Sequence, residues 1–514
     1  MCWETKEQPM RTYQQFINGK LVSRPGQSMI EVENPSTGKI MAQTPNGGRE
    51  DAQEALEAAH KAQEAWAAQS AAARGAYLKQ MATLVRKHRT DLARLLAEEQ
   101  AKTLPLAYAE IDGTAEYFDY YAGWARLYEG EIIQSDRQRE NILLYRQPIG
   151  VVAGICPWNF PFFVMARKVA PSLLTGCTAV IKPSSVAPVT VMEFARMVAD
   201  LDLPAGVLNF VTGGGSTLGE ALSSSPLVDM VTLTGSVEAG QRIITASAAN
   251  VTKVSLELGG KAPVIVCADA DLDLAVRGVT ASRTIFSGQV CNCAERLYVQ
   301  DSIAEQFADK LAEAFAKVRL GNPFDEPAPD MCSQINAEQL EKIDSMVKRA
   351  KADGAEAITG GAPLNRETGY FYAPTLLGNC RQDMEIVRKE VFGPVLPMLT
   401  FHTLDEAIAL ANDCEYGLTS SIFTTKLTNT MEAVNRLKFG ETYVNREHFE
   451  AMQGFHAGWR KSGIGGADGK HGLMEYLQTH VAYIDYSRNF RVKLRCGAWS
   501  PLPLSSARGG GGSP

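Results

Sequence analysis

The 514-residue sequence lacks any long uninterrupted apolar run. Its most apolar stretch, Val151 to Met165, is broken by Pro157, Asn159 and Pro161 and is too short to span a bilayer. Met1 to Lys6 contains no apolar core of a signal peptide. There is no excess of positive charge: 51 Lys and Arg face 58 Asp and Glu, a net −7, which argues against a basic nucleic-acid footprint. Composition also excludes collagen-like, coiled-coil and low-complexity classes. The 10 cysteines show no repeated pair spacing, and the seven histidines show no ligand spacing with them, so neither a disulfide framework nor a metal site is expected. A chain of this length buries several cores without staples and suggests about three domains. A cytoplasmic, reducing setting is expected, in which each cysteine is either buried filler or a reactive thiol.

Residues 49–127 read as helices, rich in Ala, Glu, Gln, Leu and Arg, with apolar residues recurring at steps of three and four over Leu78–Leu96. Glu131-Ile132-Ile133 and Ile142-Leu143-Leu144-Tyr145 flank a polar turn and predict a hairpin. From Gly150 to Glu257, β-prone runs (Val151–Ile155, Ala179–Ile181, Val207–Val211, Met230–Leu233, Val254–Glu257) alternate with helical stretches, the pattern of a parallel sheet with helices on its faces. A second such series runs to about Val444, with strands at Val264–Val266 and Arg296–Val299 and helices at Ile303–Val318 and Gln339–Asp353.

Two turns could meet a phosphate. Gly213-x-Gly215-x3-Gly219 follows a β-prone run and is one residue longer than the usual dinucleotide fingerprint; a plain turn fits as well. Leu233-Thr234-Gly235-Ser236 also leads from strand to helix, with Ser236 either a phosphate donor or a simple N-cap.

Three further segments carry chemistry. Pro157-Trp158-Asn159-Phe160-Pro161 sets an amide among aromatic and proline residues, Leu256-Glu257-Leu258-Gly259-Gly260 sets one carboxylate in an apolar run, and Gly288-Gln289-Val290-Cys291 sets a thiol after a glycine. An oxyanion donor, a base and a nucleophile are what acyl chemistry through a thioester requires. Singly, each has a structural reading: Asn159 as a helix cap, Glu257 in a salt bridge, Cys291 in a core.

Together with Glu390-Val391-Phe392-Gly393-Pro394, and with 291 − 257 = 34 residues between carboxylate and thiol, these motifs resemble the aldehyde dehydrogenase superfamily over about residues 12–486. Within it, Glu129 to Asp136 and Phe455 to Gly463 are most similar to the bacterial lactaldehyde/glycolaldehyde dehydrogenases. The resemblance implies an α/β aldehyde dehydrogenase-like fold. A Rossmann-like cofactor domain would comprise 1–126 and 149–258, and an α/β catalytic domain 259–465. A small β oligomerisation element would combine 127–148 with 466–488, making a homodimer or homotetramer. By composition alone, with Gly509 to Gly512 and several prolines and serines, 489–514 reads as a disordered or artificially appended tail. The resemblance implies Cys291 as nucleophile, Asn159 as oxyanion donor and Glu257 as hydrolytic base. NAD or NADP would lie along Ile155, Pro157, Trp158, Lys182, Ser184, Ser185, Gly215, Gly219, Thr234, Gly235, Ser236, Leu258, Glu390 and Phe392. Cys293 is the competing thiol, since in an extended segment it would point the same way as Cys291.

Two departures from the family pattern matter. The run Lys182-Pro183-Ser184-Ser185 has Ser185 where Glu is common. An acidic residue there repels a 2′-phosphate, so Ser185 predicts that NADP is tolerated, unless Ser185 is neutral and NAD still dominates. Phe160, Val164 and Arg167 share one helical face; by the resemblance, Arg167 stands where a large apolar group is frequent and His456 where an aromatic wall residue is common, and Asn292 directly follows Cys291. These polar groups predict a short aldehyde bearing hydroxyl or carboxylate oxygens, unless Arg167 pairs with a structural carboxylate. A semialdehyde dehydrogenase of the succinic type, a broad-specificity aldehyde dehydrogenase and a non-catalytic crystallin-like protein are the alternatives; retention of Cys291, Glu257 and Asn159 together counts against the last.

Overall fold

A computed structural model describes residues 10–487; the tail expected at 489–514 lies outside the described residues. The described residues divide into two compact units, a large one from 10–128 and 146–478, and a small one from 129–145 and 479–487.

The large unit begins with short strands that the helix-centred reading of the N-terminal region does not include. Asn18-Gly19, with φ of 53° and 75°, closes a hairpin between Gln15–Ile17 and Lys20–Val22, the turn chemistry that two left-handed positions require. Four helices follow. Arg49–Ala67 buries Ala52, Ala55, Leu56 and Ala59 on one stripe, and its first turn is capped by Asp51, whose carboxylate accepts from Gly48 N at 2.9 Å. The apolar recurrence over Leu78–Leu96 resolves into two helices, Ala71–Lys87 and Arg89–Gln100, divided at His88. Leu104–Gly123 completes the layer.

The first sheet has eight strands in the order Gly463–Ile464, Lys253–Glu257, Met230–Thr234, Val151–Ile155, Thr178–Lys182, Leu208–Phe210, Gln15–Ile17, Lys20–Val22. The five central strands are parallel and the outer ones antiparallel. The central strands are buried on both faces, as continuous apolar runs demand. After Leu208–Phe210 the chain crosses to the other side of Val151–Ile155. The strand order therefore reverses between Val151–Ile155 and Met230–Thr234, and a crevice opens at their carboxyl ends.

The second sheet has seven strands: Glu356–Thr359, Thr375–Gly378, Val395–Phe401, Ala294–Gln300, Ala262–Val266, Thr419–Phe423 and Glu441–Val444. All neighbours are parallel except the first pair. Its helices include Ala304–Ala316 and Ala337–Ala352, each within three residues of the sequence expectation at either end. In the small unit Glu131–Gln134 pairs antiparallel with Glu140–Pro148, the predicted hairpin, and Leu477–Asp485 completes a three-stranded sheet. Ile132, Tyr483 and Tyr486 are exposed there.

Glu295, on the strand Ala294–Gln300, is buried in the second sheet's end. Its oxygens lie 2.7 Å from Lys261 Nζ and 2.8 Å from Arg283 Nη1, and they accept from the amides of Val391 at 3.1 Å and Phe392 at 3.2 Å. Burial opposes its charge, but Lys261 and Arg283 hold the carboxyl below its usual range. Removing one partner of such a group strands the others in a dry interior. Glu295→Ala is expected to destabilise the protein by about 3–5 kcal/mol, read by urea denaturation; a change below about 1 kcal/mol would show that the network carries little of the fold.

Candidate active site

Two cavities open at the reversal point. The larger, of 1020 Å³, is lined by Ile155, Lys182, Gly215, Gly219, Leu233, Ser236 and the helix that follows. Lys182 is buried there, its ammonium pushed down to about 8 by burial and Nζ donating to Pro183 O at 3.2 Å. Gly215–Gly219 form one wide helical turn before Glu220–Ser224. Ser236 Oγ caps the helix Val237–Ser247 by accepting from Ala239 N, so the plain N-cap reading holds, and the residue also faces the cleft. Ser184 and Ser185 are half-buried just beyond Lys182, and Ser184 Oγ accepts from Val186 N at 3.2 Å.

The smaller cavity, of 320 Å³, is lined by Asn159, Phe160, Val164, Arg167, Thr234, Cys291, Asn292, His456 and neighbours. Thr234 lines this smaller cavity, while Leu233 and Ser236 on either side of Thr234-Gly235 line the larger one. Phe160, Val164 and Arg167 all reach it from the start and first turns of the helix Pro161–Thr175. That helix is seated by buried Glu110, whose Oε1 accepts from Phe162 N at 3.0 Å and Phe163 N at 3.2 Å, a carboxylate at a helix N-terminus. Glu110 also pairs with buried Lys102, which donates to Asn159 O at 2.8 Å and lies over the Phe160 and Phe286 rings. Asn159 Nδ2 donates to Gln289 O at 3.0 Å, which sets the amide beside the segment leading to Cys291.

That segment is bent. Phe286, Ser287 and Gly288 take φ of 44°, 56° and 74°, a left-handed run that a bulky Phe adopts only when its surroundings impose it. Ser287 Oγ donates to Cys332 O at 2.7 Å and Arg283 Nη2 to Gly288 O at 2.6 Å. Gly260 is required where it is, because a Cβ there would strike the Cys291 carbonyl, and one on Gly259 would strike Glu390. Glu390 Oε1 accepts from Gly260 N at 2.8 Å, and burial pushes its carboxyl up to about 7. Phe392 stands edge-on to Trp158 at 5.4 Å, while Leu258 N donates to Ser462 O and Gly235 N to Glu257 O.

The two thiols differ. Residues 291–293 form a turn rather than the extended segment that would set both on one side. Cys291 is half-buried on the cavity, whereas Cys293 is 1% exposed, packs with Phe286 and Val290, and donates to Val290 O at 3.0 Å. Burial pushes Cys293 up to about 12.

Glu257 ends the strand Lys253–Glu257 and is buried, and among the described residues neither oxygen has a hydrogen-bond partner. Burial pushes it up to about 7, against the pull of His456, whose Nε2 lies 3.5 Å from Glu257 Oε2. Arg167 corrects the reading of a cation free for substrate. It forms two hydrogen bonds with buried Asp468, at 3.0 and 2.7 Å, and another with Glu450 at 3.0 Å. The structural carboxylate is therefore real, and there are two of them. Asn292 Nδ2 donates to Glu450 as well. Glu450, Asp468 and Lys102 have no flanking motif to mark them; they are found only by asking what charge could balance Arg167 and Glu110 in a dry interior. Among the described residues no cluster of His, Cys, Asp or Glu could hold a metal ion, and no helix is long and apolar enough to cross a membrane.

A doubly wound sheet with a long cleft at its reversal point, beside a pocket that holds a reachable thiol and whose His456 lies 3.5 Å from a desolvated carboxylate, is the architecture of a nucleotide-dependent oxidoreductase. The profile of the aldehyde dehydrogenase family matches residues 22–482. The lactaldehyde dehydrogenase of Escherichia coli is 52% identical over 91% of this chain and 98% of its own, and a crystal structure of it superposes with a TM-score of 0.92 over 93% of this chain and 100% of that one. Betaine aldehyde dehydrogenase of Staphylococcus aureus, solved with NAD+, is 36% identical with a TM-score of 0.91, covering 94% and 96%. The chain belongs to the aldehyde dehydrogenase family. It is an aldehyde-oxidising oxidoreductase that works with NAD or NADP.

Cys291→Ala is expected to lower kcat by about 10⁴ or more, as loss of a nucleophile does, and Cys293→Ala to leave it within about threefold, as a small packing change does. Full activity in Cys291→Ala with none in Cys293→Ala would reverse the assignment.

Proposed function

We propose that the protein oxidises a short hydroxyaldehyde, of the lactaldehyde or glycolaldehyde kind, to its acid through a thioester on Cys291. The observation that carries this reading is the 320 Å³ cavity in which Cys291 and Asn159 share a wall with His456, itself 3.5 Å from Glu257. The Cys291 thiolate adds to the aldehyde carbon. The oxyanion that develops falls to the Asn159 amide and the Cys291 backbone N–H, and each such donor is typically worth about 3 kcal/mol. NAD or NADP would be held by Lys182, Gly215, Gly219 and Ser236 at the phosphate and adenosine side and by Glu390 and Phe392 at the other end, with Ile155, Pro157, Trp158, Ser184, Ser185, Thr234, Gly235 and Leu258 between. Bound there, it supplies the hydride acceptor. Glu257 then takes a proton from the water that hydrolyses the thioester, for which a carboxyl near neutrality is suited.

The lining favours hydroxyl over carboxylate on the substrate. Arg167 is already paired with Asp468 and Glu450 and is not free to hold a distal carboxylate. The semialdehyde alternative requires Arg167 to be free. The lactaldehyde dehydrogenase activity of the Escherichia coli relative supports the same substrate class. The exposed Ile132, Tyr483 and Tyr486 support self-association of the small unit into a homodimer or homotetramer, and a cytoplasmic location fits the eight cysteines described as free. The three-part division at 126, 148, 258 and 465 is part of the same proposal.

The raised Glu257 carboxyl fixes a pH dependence. Below about 7 Glu257 gains a proton and cannot act as base, so hydrolysis slows as pH falls and levels off above that value. Steady-state kcat is expected to follow this rise. Glu257→Gln should retain a single burst of NADH while losing about 10²–10⁴-fold in turnover; turnover unchanged in that variant would remove Glu257 from the mechanism.

A kcat/KM panel tests the substrate. Lactaldehyde and glycolaldehyde are expected to exceed succinic semialdehyde by about tenfold or more, about 1.4 kcal/mol of discrimination. With Ser185 in place of an acid, NAD over NADP is expected to stay below about 1,000, roughly 4 kcal/mol. Succinic semialdehyde as the best substrate, or a larger cofactor ratio, would overturn the respective assignment.

A further inference from the structure

Burial raises the Cys291 thiol, yet the proposed reaction needs a thiolate. Glu257 is the obvious base, but it is also needed, unprotonated, for hydrolysis. The structure supplies a second group. His456 is buried, with its backbone locked by paired hydrogen bonds to Ala467 at 2.9 and 2.8 Å. Its Nδ1 lies 3.0 Å from Glu441 Oε1. Glu441 opens the strand Glu441–Val444, registered against Thr419, and its other oxygen accepts from the Tyr443 hydroxyl. With Nδ1 fixed by Glu441, Nε2 lies 3.5 Å from Glu257 Oε2, and the ring lines the same cavity as the Cys291 thiol, with which it interacts. A thiol, an imidazole and a carboxylate in that order make a nucleophile, a base and an orienting group.

We propose that Glu441, His456 and Cys291 form a thiol-activating relay, in which His456 is a catalytic residue, Glu441 a positioning residue, and Glu257 is left for the hydrolytic step alone. The inference rests on the reading of Cys291 as nucleophile. The S–H bond of Cys291 breaks, its proton goes to Nε2 of His456, and a thiolate–imidazolium pair results without oxidation or reduction. The groups facing the imidazole are Glu257, Cys291, Glu441, Glu450 and, from a further loop, Asp468. Burial opposes the imidazolium, but these acids hold it well above its usual range, which makes the imidazole a stronger acceptor for the thiol proton. Both ring nitrogens thus serve protein groups, which reassigns His456 from substrate contact to thiol activation.

The test is the pH dependence of Cys291 alkylation by iodoacetamide, followed on the Cys291 peptide by mass spectrometry, with neither aldehyde nor cofactor present. In His456→Gln the midpoint is expected to move up by about 1–3 pH units, the effect of an opposite charge at contact distance. Glu441→Gln, which keeps an acceptor for Nδ1 but removes the charge, is expected to move it up by less. Unchanged midpoints in both variants would overturn the relay, whatever happens to activity. Because the measurement reads the resting thiol, it can fail while hydroxyaldehyde oxidation stands, and it can succeed if the preferred aldehyde proves to be a different one.

Discussion

The buried carboxylate of Glu295 is the constraint on which the site depends. It is held by two cations from different segments, Lys261 after the glycine pair and Arg283 on the helix before the thiol loop, and it accepts both amides of the Val391-Phe392 turn. Those three segments carry Gly260, Gly288 and Glu390. One anion therefore fixes the floor under the thiol, the left-handed bend that delivers it, and the carboxylate expected at the cofactor's far end. Arg283 extends the grip by donating to the carbonyls of Gly288 and Ala294 on either side of Cys291. Such a group lowers free energy only as a complete set, since each member alone would be a desolvated charge. Completeness is what allows Phe286 and Ser287 to remain at positive φ, a conformation whose local cost of order 1–3 kcal/mol must be met by surrounding contacts.

Desolvation runs through the chemistry in the same way. Glu257 and Glu390 are both pushed up to about 7, with burial as the leading cause in each. Glu295, equally buried, moves the other way because two cations touch it. The difference is partnering, not depth. Glu257 lacks a hydrogen-bond partner among the described residues and has one imidazole nearby, which leaves it basic enough to take a proton from water and weak enough to release it near neutral pH. A fully paired carboxylate like Glu295 could not serve, and a free surface carboxylate would be too weak a base.

Much of this is legible in the sequence, for reasons that can be named. Val151–Ile155 reads at its observed bounds because a strand buried on both faces has to be a continuous apolar run. Asn159, Glu257 and Cys291 are legible as motifs because their neighbours are constrained too: Gly259 and Gly260 by the approach of Glu390 and the Cys291 carbonyl, Gly288 by its positive φ. The strands Gln15–Ile17 and Lys20–Val22 are not, since three-residue edge strands carry too little pattern, although Asn18-Gly19 marks their turn. The state of Arg167 is also hidden. Its partners Glu450 and Asp468 lie 283 and 301 residues away, and spacing along a chain holds no information about which distant acid will fold onto a given cation. Cys293 misleads for a local reason: the period-two rule applies to extended backbone, and residues 291–293 turn.

The pairing of Arg167 has a consequence for specificity. A bare arginine in a pocket selects carboxylates; an arginine bound by two acids positions those acids instead. Here it places the Glu450 carboxylate on the cavity wall, with Asn292 hydrogen-bonded to it from the residue after the thiol. A hydroxyl on the carbon beside the aldehyde is a donor and suits a wall of carboxylate oxygen and amide. An alkyl chain leaves those groups desolvated and unsatisfied, and a carboxylate meets like charge. The polar residues that call for an anionic or hydroxylated substrate thus favour the second once the charge of Arg167 is balanced. On the proposed function, discrimination would arise less from attraction of the right aldehyde than from the free-energy cost of burying the wrong one.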